Sequence, residues 1–465
     1  MRFLVFNGSP KNQKQSTTMQ YIMFMRKMFP DTTFEIINVG SQISRLENDT
    51  QYFHEIYQSI SAYDGIIWAF PVYYLLVPSQ LKRFIELLFH HNSQKVFENK
   101  PVAAFCTSIH FCDTYAINYI KEISEDLVMK FFDTYSAEMF DLQKEKERDR
   151  LTQFTDHFIR FCQLKTYSSR KSLPIIQNNL KIEISNDHNL QIKTTPKILI
   201  LTDETASDLN LMAMTGYFKN MFSSQIELFN IRDFGMKGGC LGCIMCGYDF
   251  TCVYNKTDSF QMLYTEKVKW ADIIIYAGSI KDRYLSSLWK QLFDRSFFHN
   301  HTPMLSGKQV AMIISGPFRQ ISNLNLLFQN YFEVQNVNLA GIVSDDTDSA
   351  DAVKNDLINL AYQIVKMSEE KYCAPKTFIG IAARKIFRDD IYCKLRFPFV
   401  NDYKHYKRLG YFDFPQKDIK NKIINSVLSF LTNFPKIRKS IYQKGYDIGV
   451  IQPFQKKIQS IEVKK

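Results

Sequence analysis

The sequence predicts an α/β protein with two parallel sheets in tandem and a basic C-terminal extension. Short β-branched and aliphatic runs alternate with longer amphipathic stretches, that alternation is completed twice, and positive charge collects towards the carboxyl end.

In the first half the expected strands are Arg2–Asn7, Phe34–Val39, Gly65–Phe70, Val102–Thr107 and Thr134–Phe140. Helical periodicity fills the gaps, as in Ser16–Met28 and Ser79–His90. The second half repeats the order with strands at Lys197–Leu201, Gln225–Phe229, Ile273–Ala277, Gln309–Ser315 and Asn338–Val343. Between the halves, mixed polarity with Asn178-Asn179 and the cluster Asn186 to Asn189 predicts a hairpin linker. The expected segments are therefore 1–166, a linker 167–195, 196–369 and an extension 370–465.

Bulk properties agree with this division. At 465 residues, 45% hydrophobic and 14% aromatic, the chain can bury two full cores and keep an appendage. No apolar run reaches the roughly 18 residues of a membrane helix; the nearest, Ile66–Val77, is broken by Pro71. The first ten residues read as a strand entering a turn and lack a signal peptide's apolar centre, so a cytoplasmic location is expected. The net charge is +11, and residues 371–465 hold 21 Lys and Arg against 7 Asp and Glu, so the preceding residues are slightly acidic. Such a tail suits an anionic partner (acidic protein, lipid headgroups or nucleic acid) or is simply a solvated surface.

Two loops of the first half suggest a ligand. Strand one ends in Asn7-Gly8-Ser9-Pro10, and a polar loop leads to Ser16-Thr17-Thr18 at a helix start. Small residues admit a phosphate, hydroxyls donate to it, and a helix N-terminus offers free N–H groups with a favourable dipole. Lys11 and Lys14 add positive charge, although a plain turn with a Ser/Thr cap would look the same. Strand three ends in Pro71-Val72-Tyr73-Tyr74, and Pro78–Phe84 opens the next helix. In an open sheet whose order reverses between strands one and three, ligands bind outside their carboxyl ends, and these apolar residues suit a flat ring.

In the second half, Cys240, Cys243, Cys246 and Cys252 form C-x2-C-x2-C-x5-C, four of nine cysteines crowded together. Thiolates at every third position with a fourth to close the set suit an iron–sulfur cubane. Zinc sites more often draw two pairs from separate segments, and thiols without a metal, reduced, disulfide-bonded or vestigial, are the remaining reading. Thr202-Asp203-Glu204-Thr205 stands where the first half has Gly8-Ser9-Pro10, so carboxylates would repel a phosphate there. The loop Gly40–Asp49 has no cysteine, so each half keeps what the other lacks.

With these residues in view, the chain resembles the NADPH-dependent FMN reductase and iron–sulfur flavoprotein group of the flavodoxin-like superfamily. Gly8-Ser9-Pro10 with Ser16-Thr17-Thr18, Pro71 to Tyr74 and Pro78 to Phe84 carry the resemblance, with Lys11 a departure from the arginine common in relatives. It implies five-stranded parallel sheets of order 2-1-3-4-5 with helices on both faces. It also implies FMN held at its phosphate by Ser9, Pro10, Ser16, Thr17 and Thr18. Pro71, Val72, Tyr73, Tyr74, Thr107, Ser108, Ile109 and His110 would hold the ring; the sequence shows no dedicated NAD(P)H motif, and Tyr73, Tyr74 and His110 are only candidates for shaping that pocket. The quartet, with Leu241-Gly242 and Asp258, looks like the compact motif of iron–sulfur flavoproteins and implies a [4Fe–4S] cluster. In that family one subunit's cluster serves another's FMN, which implies a pseudo-dimer here with the cysteine loop facing the first-half crevice. Lys290 to Arg295 then reads as a scaffold or interface helix.

The resulting expectation is an NAD(P)H-dependent FMN oxidoreductase or electron-transfer protein with an open choice of acceptor and a homo-oligomer as one assembly. A cluster-free quinone or nitro-compound reductase and a non-enzymatic redox sensor or assembly protein are the alternatives. The tail's Tyr411 to Pro415 aromatics suit an oligomer arm or a cover for the crevice.

Overall fold

The computed structural model describes the chain apart from residues 166, 168, 178–179, 184–190, 224–225, 415–417, 447, 449–450 and 461–465. Met1–His405 make one compact unit and Tyr406–Lys465 a second.

The first unit holds two sheets. β1 Arg2–Asn7, β2 Thr33–Ile37, β3 Gly65–Pro71, β4 Pro101–Ser108 and β5 Lys130–Glu138 pair in the order β2-β1-β3-β4-β5. β6 Ile198–Thr202, β7 Ile226–Asn230, β8 Ile273–Ser279, β9 Gln309–Ser315 and β10 Asn338–Ser344 pair as β10-β9-β8-β6-β7, the same topology. All pairings are parallel. Both are flavodoxin-like sheets, and in each the order reverses between the first and third strands.

The period of two along a strand sorts side chains onto two faces. Leu4 and Phe6 of β1 and Leu199 and Leu201 of β6 enter one core that runs continuously between the two sheets. Phe3 and Val5 face a second core, and Ile198 and Ile200 a third, each on the outer side of one sheet. Trp68 and Phe84 of the first half and Trp289 and Phe293 of the second share the central core. Each such aromatic contributes about 1.5–3 kcal/mol of burial, so the halves are joined by a true interior.

Two helices make the seam. Ser79–His90 follows β3 and Ser287–Arg295 follows β8, and each caps the other. The Ser79 amide donates to Asp294 Oδ2 at 2.8 Å, and the Ser287 amide donates to Glu86 Oε1 at 2.6 Å. First-turn amides lack intrahelical partners and favour anions, so a carboxylate from the facing helix satisfies both needs. Within each helix the acid also pairs with a fully buried lysine four residues earlier, Lys82 with Glu86 and Lys290 with Asp294. Lys82 further reaches Asp282 at 2.9 Å, and Lys290 donates to the Tyr73 carbonyl at 2.8 Å. Lys290 to Arg295 is thus an interface helix in fact.

In the linker the turn residues Asn178-Asn179 and Asn186 to Asn189 lie outside the described residues. No strand pair forms among the described linker residues, because their polar groups bond to neighbouring elements. Arg170 pairs with Asp126, Glu125 accepts from the Lys171 and Ser172 amides, and Ile176 exchanges bonds with Gln320. Beyond the second sheet, the helix Phe378–Tyr392 buries Ala383 and Ile391 in the same unit as the sheets.

Candidate functional site

β1 delivers the first loop. Gly8 sits so close to the Ser79–His90 helix that an added Cβ would lie 2.5 Å from Leu81, so only glycine lets the strand end here. The loop then closes on itself: the Lys11 amide donates to Ser9 Oγ at 3.1 Å, and the Met19 amide to Ser16 Oγ at 3.4 Å. Both hydroxyls act as acceptors in these bonds, so each retains its own proton to donate. Thr17 and Thr18 open the helix Thr17–Met28, where backbone amides have no intrahelical acceptor. Ser9, Ser16 and Thr18 are buried while Thr17 is exposed. Residues 7–18 thus form a donor-rich loop without an acidic side chain.

The ring loops adjoin it. Thr18 and Thr107 share a hydroxyl hydrogen bond at 2.7 Å, which ties the helix start to the end of β4. The Val72 amide donates to the Thr107 carbonyl at 3.0 Å, tying the end of β3 to the same strand. Ser9, Ser16, Thr18, Val72 and Thr107 are therefore brought to one sheet edge. Backbone strain collects nearby, with φ of +41° at Tyr74, +64° at Leu75, +57° at His110 and +52° at Cys112. Bulky residues hold this left-handed region only where surroundings enforce it, as binding loops often do. His110 is exposed, with Nδ1 3.2 Å from Asp113, whose carboxylate also accepts from Ser136 at 2.5 Å.

The two tyrosines point away from their own half. Tyr74 packs on Phe297 and Tyr331, each at 5.6 Å between ring centroids. Tyr73 reaches the cysteine loop, where a methyl at Gly242 would lie 1.8 Å from its hydroxyl. Gly242 has φ +60°, so it meets both a steric and a conformational demand. Gln80 Nε2 donates to the Cys240 carbonyl at 3.1 Å. Burial holds the Tyr73 phenol well above its usual range, helped by Cys240, Asp294 and Cys243.

Cys240, Cys243, Cys246 and Cys252 line one cavity of about 40 Å³ with Leu241, Ile244, Val253, Phe297 and Phe298. Burial pushes Cys240 up to about 12, followed by Asp294 and the Cys243 and Cys252 thiols. Cys246 is raised by burial and then by the other three thiols. The Gly242 amide donates to Cys240 Sγ at 3.4 Å, and Cys246 Sγ lies 3.3 Å from Asn300 Oδ1. Among the described residues no group of three or more His, Cys, Asp or Glu is gathered tightly enough to hold a metal ion as it stands. All nine cysteines are unpaired. Arg295, fully buried, braces the loop by donating to Asp258 at 2.9 and 3.0 Å and to the Gly238 carbonyl at 2.9 Å.

The matching loop of the second half is filled by its own acids. Glu204 accepts from Thr202 and Thr215, Asp208 from the Thr205 amide and hydroxyl, and buried Asp203 from Ser286. Donors that a phosphate would need are already occupied there.

The packing of the helix Phe378–Tyr392 and the residues after it gave no signal in the sequence. Phe387 of the helix Phe378–Tyr392 packs at 4.4 Å on both Phe111 and His301, and Lys394 pairs with Glu138 at 3.1 Å. Pro398 lies against Gly247, where an added Cβ would come 1.8 Å from its carbonyl oxygen. These partners are 86 to 276 residues apart in sequence, so no local pattern announces them.

Residues 1–111 match the family model NADPH-dependent FMN reductase. No curated protein matches. Among solved structures, the chain is similar to an NADH:FMN oxidoreductase (EMOB) in its apo form at 19% identity, covering 34% of this chain and 87% of that one with a TM-score of 0.30. It is also similar to FerB, an NAD(P)H:(acceptor) oxidoreductase flavoenzyme from Paracoccus denitrificans, at 17% identity, covering 35% and 98% with a TM-score of 0.31. An FMN-dependent NADH-azoreductase from Bacillus anthracis in complex with FMN is 12% identical, with 35% and 99% covered and a TM-score of 0.27. The family match thus covers residues 1–111, the segment from β1 to the loop after β4.

Proposed function

We propose that the chain is a cytoplasmic NAD(P)H-dependent FMN oxidoreductase or electron-transfer flavoprotein. Residues 1–166 serve as the FMN domain, 167–195 as linker, 196–369 as thiol domain and 370–465 as extension. Ser9, Pro10, Ser16, Thr17 and Thr18 hold the phosphate. Pro71, Val72 and Thr107 to His110 hold the ring, the Tyr73 and Tyr74 side chains having turned to the second half, and Cys240, Cys243, Cys246 and Cys252 hold a [4Fe–4S] cluster. Nine unpaired cysteines suit a reducing compartment.

When bound, FMN supplies hydride acceptance from a nicotinamide nucleotide, and a cluster supplies passage of single electrons. The chain's own residues do the rest. Ser9 and Ser16 offer hydroxyl protons, and Thr17 and Thr18 offer amides, to the phosphate. The Phe111–Phe387 contact keeps water from one side, and His110, fixed by Asp113, stands exposed at the mouth. The quartet sits in an apolar cavity with an amide already directed at Cys240 Sγ, the kind of hydrogen bond that tunes cluster potential.

One observation carries this reading: Tyr73, a ring-loop residue of the first half, seats its phenol against Gly242, between Cys240 and Cys243 of the second. An ultraviolet–visible spectrum of anaerobically purified chain, with flavin, iron and acid-labile sulfide measured on the same sample, tests it. Equimolar FMN with four irons per chain is expected. FMN without iron would leave a cluster-free quinone or nitro-compound reductase, and a chain that refuses added FMN would end the oxidoreductase reading.

A further inference from the structure

We infer that the second unit, Tyr406–Lys465, is a docking surface for an anionic lipid bilayer, on which its helices lie flat. The inference goes beyond the oxidoreductase reading and does not depend on it.

Past its first residue, Tyr406, which is buried against Tyr411 and Phe412, the unit has apolar residues but no interior. From Lys407 to Ser460 none of the described residues is buried. On the helix Ile419–Leu431, Ile423, Val427 and Phe430 recur at helical spacing on one face and are 59%, 53% and 63% exposed. Phe434 continues the stripe, and Phe454 and Ile458 repeat it on the helix Gln452–Gln459. Scattered exposed apolar residues need no explanation, but an apolar face repeated on a second helix calls for a partner.

Charge selects the partner. Residues 406–465 hold 13 Lys and Arg against 4 Asp and Glu. Lys420 and Lys422 flank the first stripe, and Lys456 and Lys457 lie beside the last. A second copy of so basic a segment would be repelled. A nucleic acid would match the cations but offer nothing to Ile423, Val427 and Ile458. A groove on an acidic protein takes one continuous helix. Here exposed apolar residues are spread over Ile419–Leu431, Pro435–Tyr446 with Ile437 and Tyr442, and Gln452–Gln459. A negatively charged lipid surface accepts all three side by side, taking apolar side chains at the acyl boundary and lysines among the headgroups. No described helix is long and apolar enough to cross a membrane, which agrees with helices lying on its surface.

The test is co-sedimentation of the full chain with phosphatidylcholine vesicles, with or without phosphatidylserine. Partition onto the serine-lipid vesicles should exceed that onto neutral ones by about tenfold or more at low salt and fall as salt is raised. The double change Val427→Asp with Phe430→Asp should cut binding by about tenfold while thermal midpoint and circular dichroism stay unchanged, since neither side chain is buried. Equal binding to neutral vesicles, indifference to the double change, or tighter binding to a DNA duplex or to polyglutamate than to the charged vesicles would each overturn the assignment. Chain stripped of flavin should bind as well as loaded chain, so failure of the FMN reading and failure of this one are separable.

Discussion

Changing Asp294 to Ala should destabilise the first unit far more than its small volume change suggests. Asp294 is 1% exposed, and the change strips Lys290, 0% exposed, of its only carboxylate partner among the described residues and leaves the Ser79 amide uncapped. Burial pulls Lys290 down and Asp294 up in proton affinity, and each group's charge opposes the shift in the other. Removing one member of such a pair costs about 3–5 kcal/mol, because a buried charge is left uncompensated. For a unit of 405 residues, an unfolding entropy of about 2.1 cal/mol/K per residue converts this to a midpoint lowered by about 4–6 °C. Replacing both partners, Lys290→Met with Asp294→Leu, removes charge and polarity together and should bring the midpoint back to within about 2 °C of the parent. Differential scanning calorimetry of the parent, Lys290→Met, Asp294→Leu and the double change closes the double-mutant cycle. If Asp294→Ala shifts the midpoint by less than about 1 °C, or the double change is as harmful as the sum of the singles, the seam is not held as described.

Other outcomes follow from the same geometry. Ser16→Ala should weaken FMN by about tenfold, as expected for one charge-assisted hydrogen bond, while riboflavin, which has no phosphate, binds unchanged; flavin fluorescence titration reads both. Gly242→Ala adds a methyl against the Tyr73 hydroxyl and strains a φ of +60° by about 1–2 kcal/mol, so iron and sulfide content should fall while flavin content holds. Burial pushes Cys106 and Cys162 up to about 12, so in the folded chain they should resist alkylation at mildly alkaline pH while exposed Cys373 and Cys393 react, as mass spectrometry would show. These folded thiols keep protons that the unfolded chain loses above about pH 8.5, so their contribution to stability is intact below that point and declines as pH rises towards 12.

What could be read from residues alone was whatever a local period or spacing encodes. The helix Ser79–His90 was legible end to end, because Pro78 and an amphipathic stripe mark it, and the cysteine spacing drew notice to its loop. The early position of β5, at Lys130–Glu138, was missed because its side chains are mostly half-buried and their alternation is weak. The reciprocal capping of Ser79 by Asp294 and Ser287 by Glu86 was invisible, since it depends on how two distant helices meet. So was the turn of Tyr73 and Tyr74 towards the second half: their sequence neighbourhood suggests a ring pocket, whereas their contacts are Gly242, Phe297 and Tyr331.

The seam between the two sheets has a consequence for how such a molecule can change. An isologous contact between identical subunits must accept every substitution twice, once on each side of the axis. Here the mates are tethered in one polypeptide, so their association ignores dilution and each side mutates alone. Under that release the loop of Ser9 and Ser16 can stay free of acids while its counterpart carries Asp203 and Glu204, and a cysteine loop can stand on one side only. Divergence between two like-folded halves is what a covalent partnership permits and a dissociable symmetric one resists.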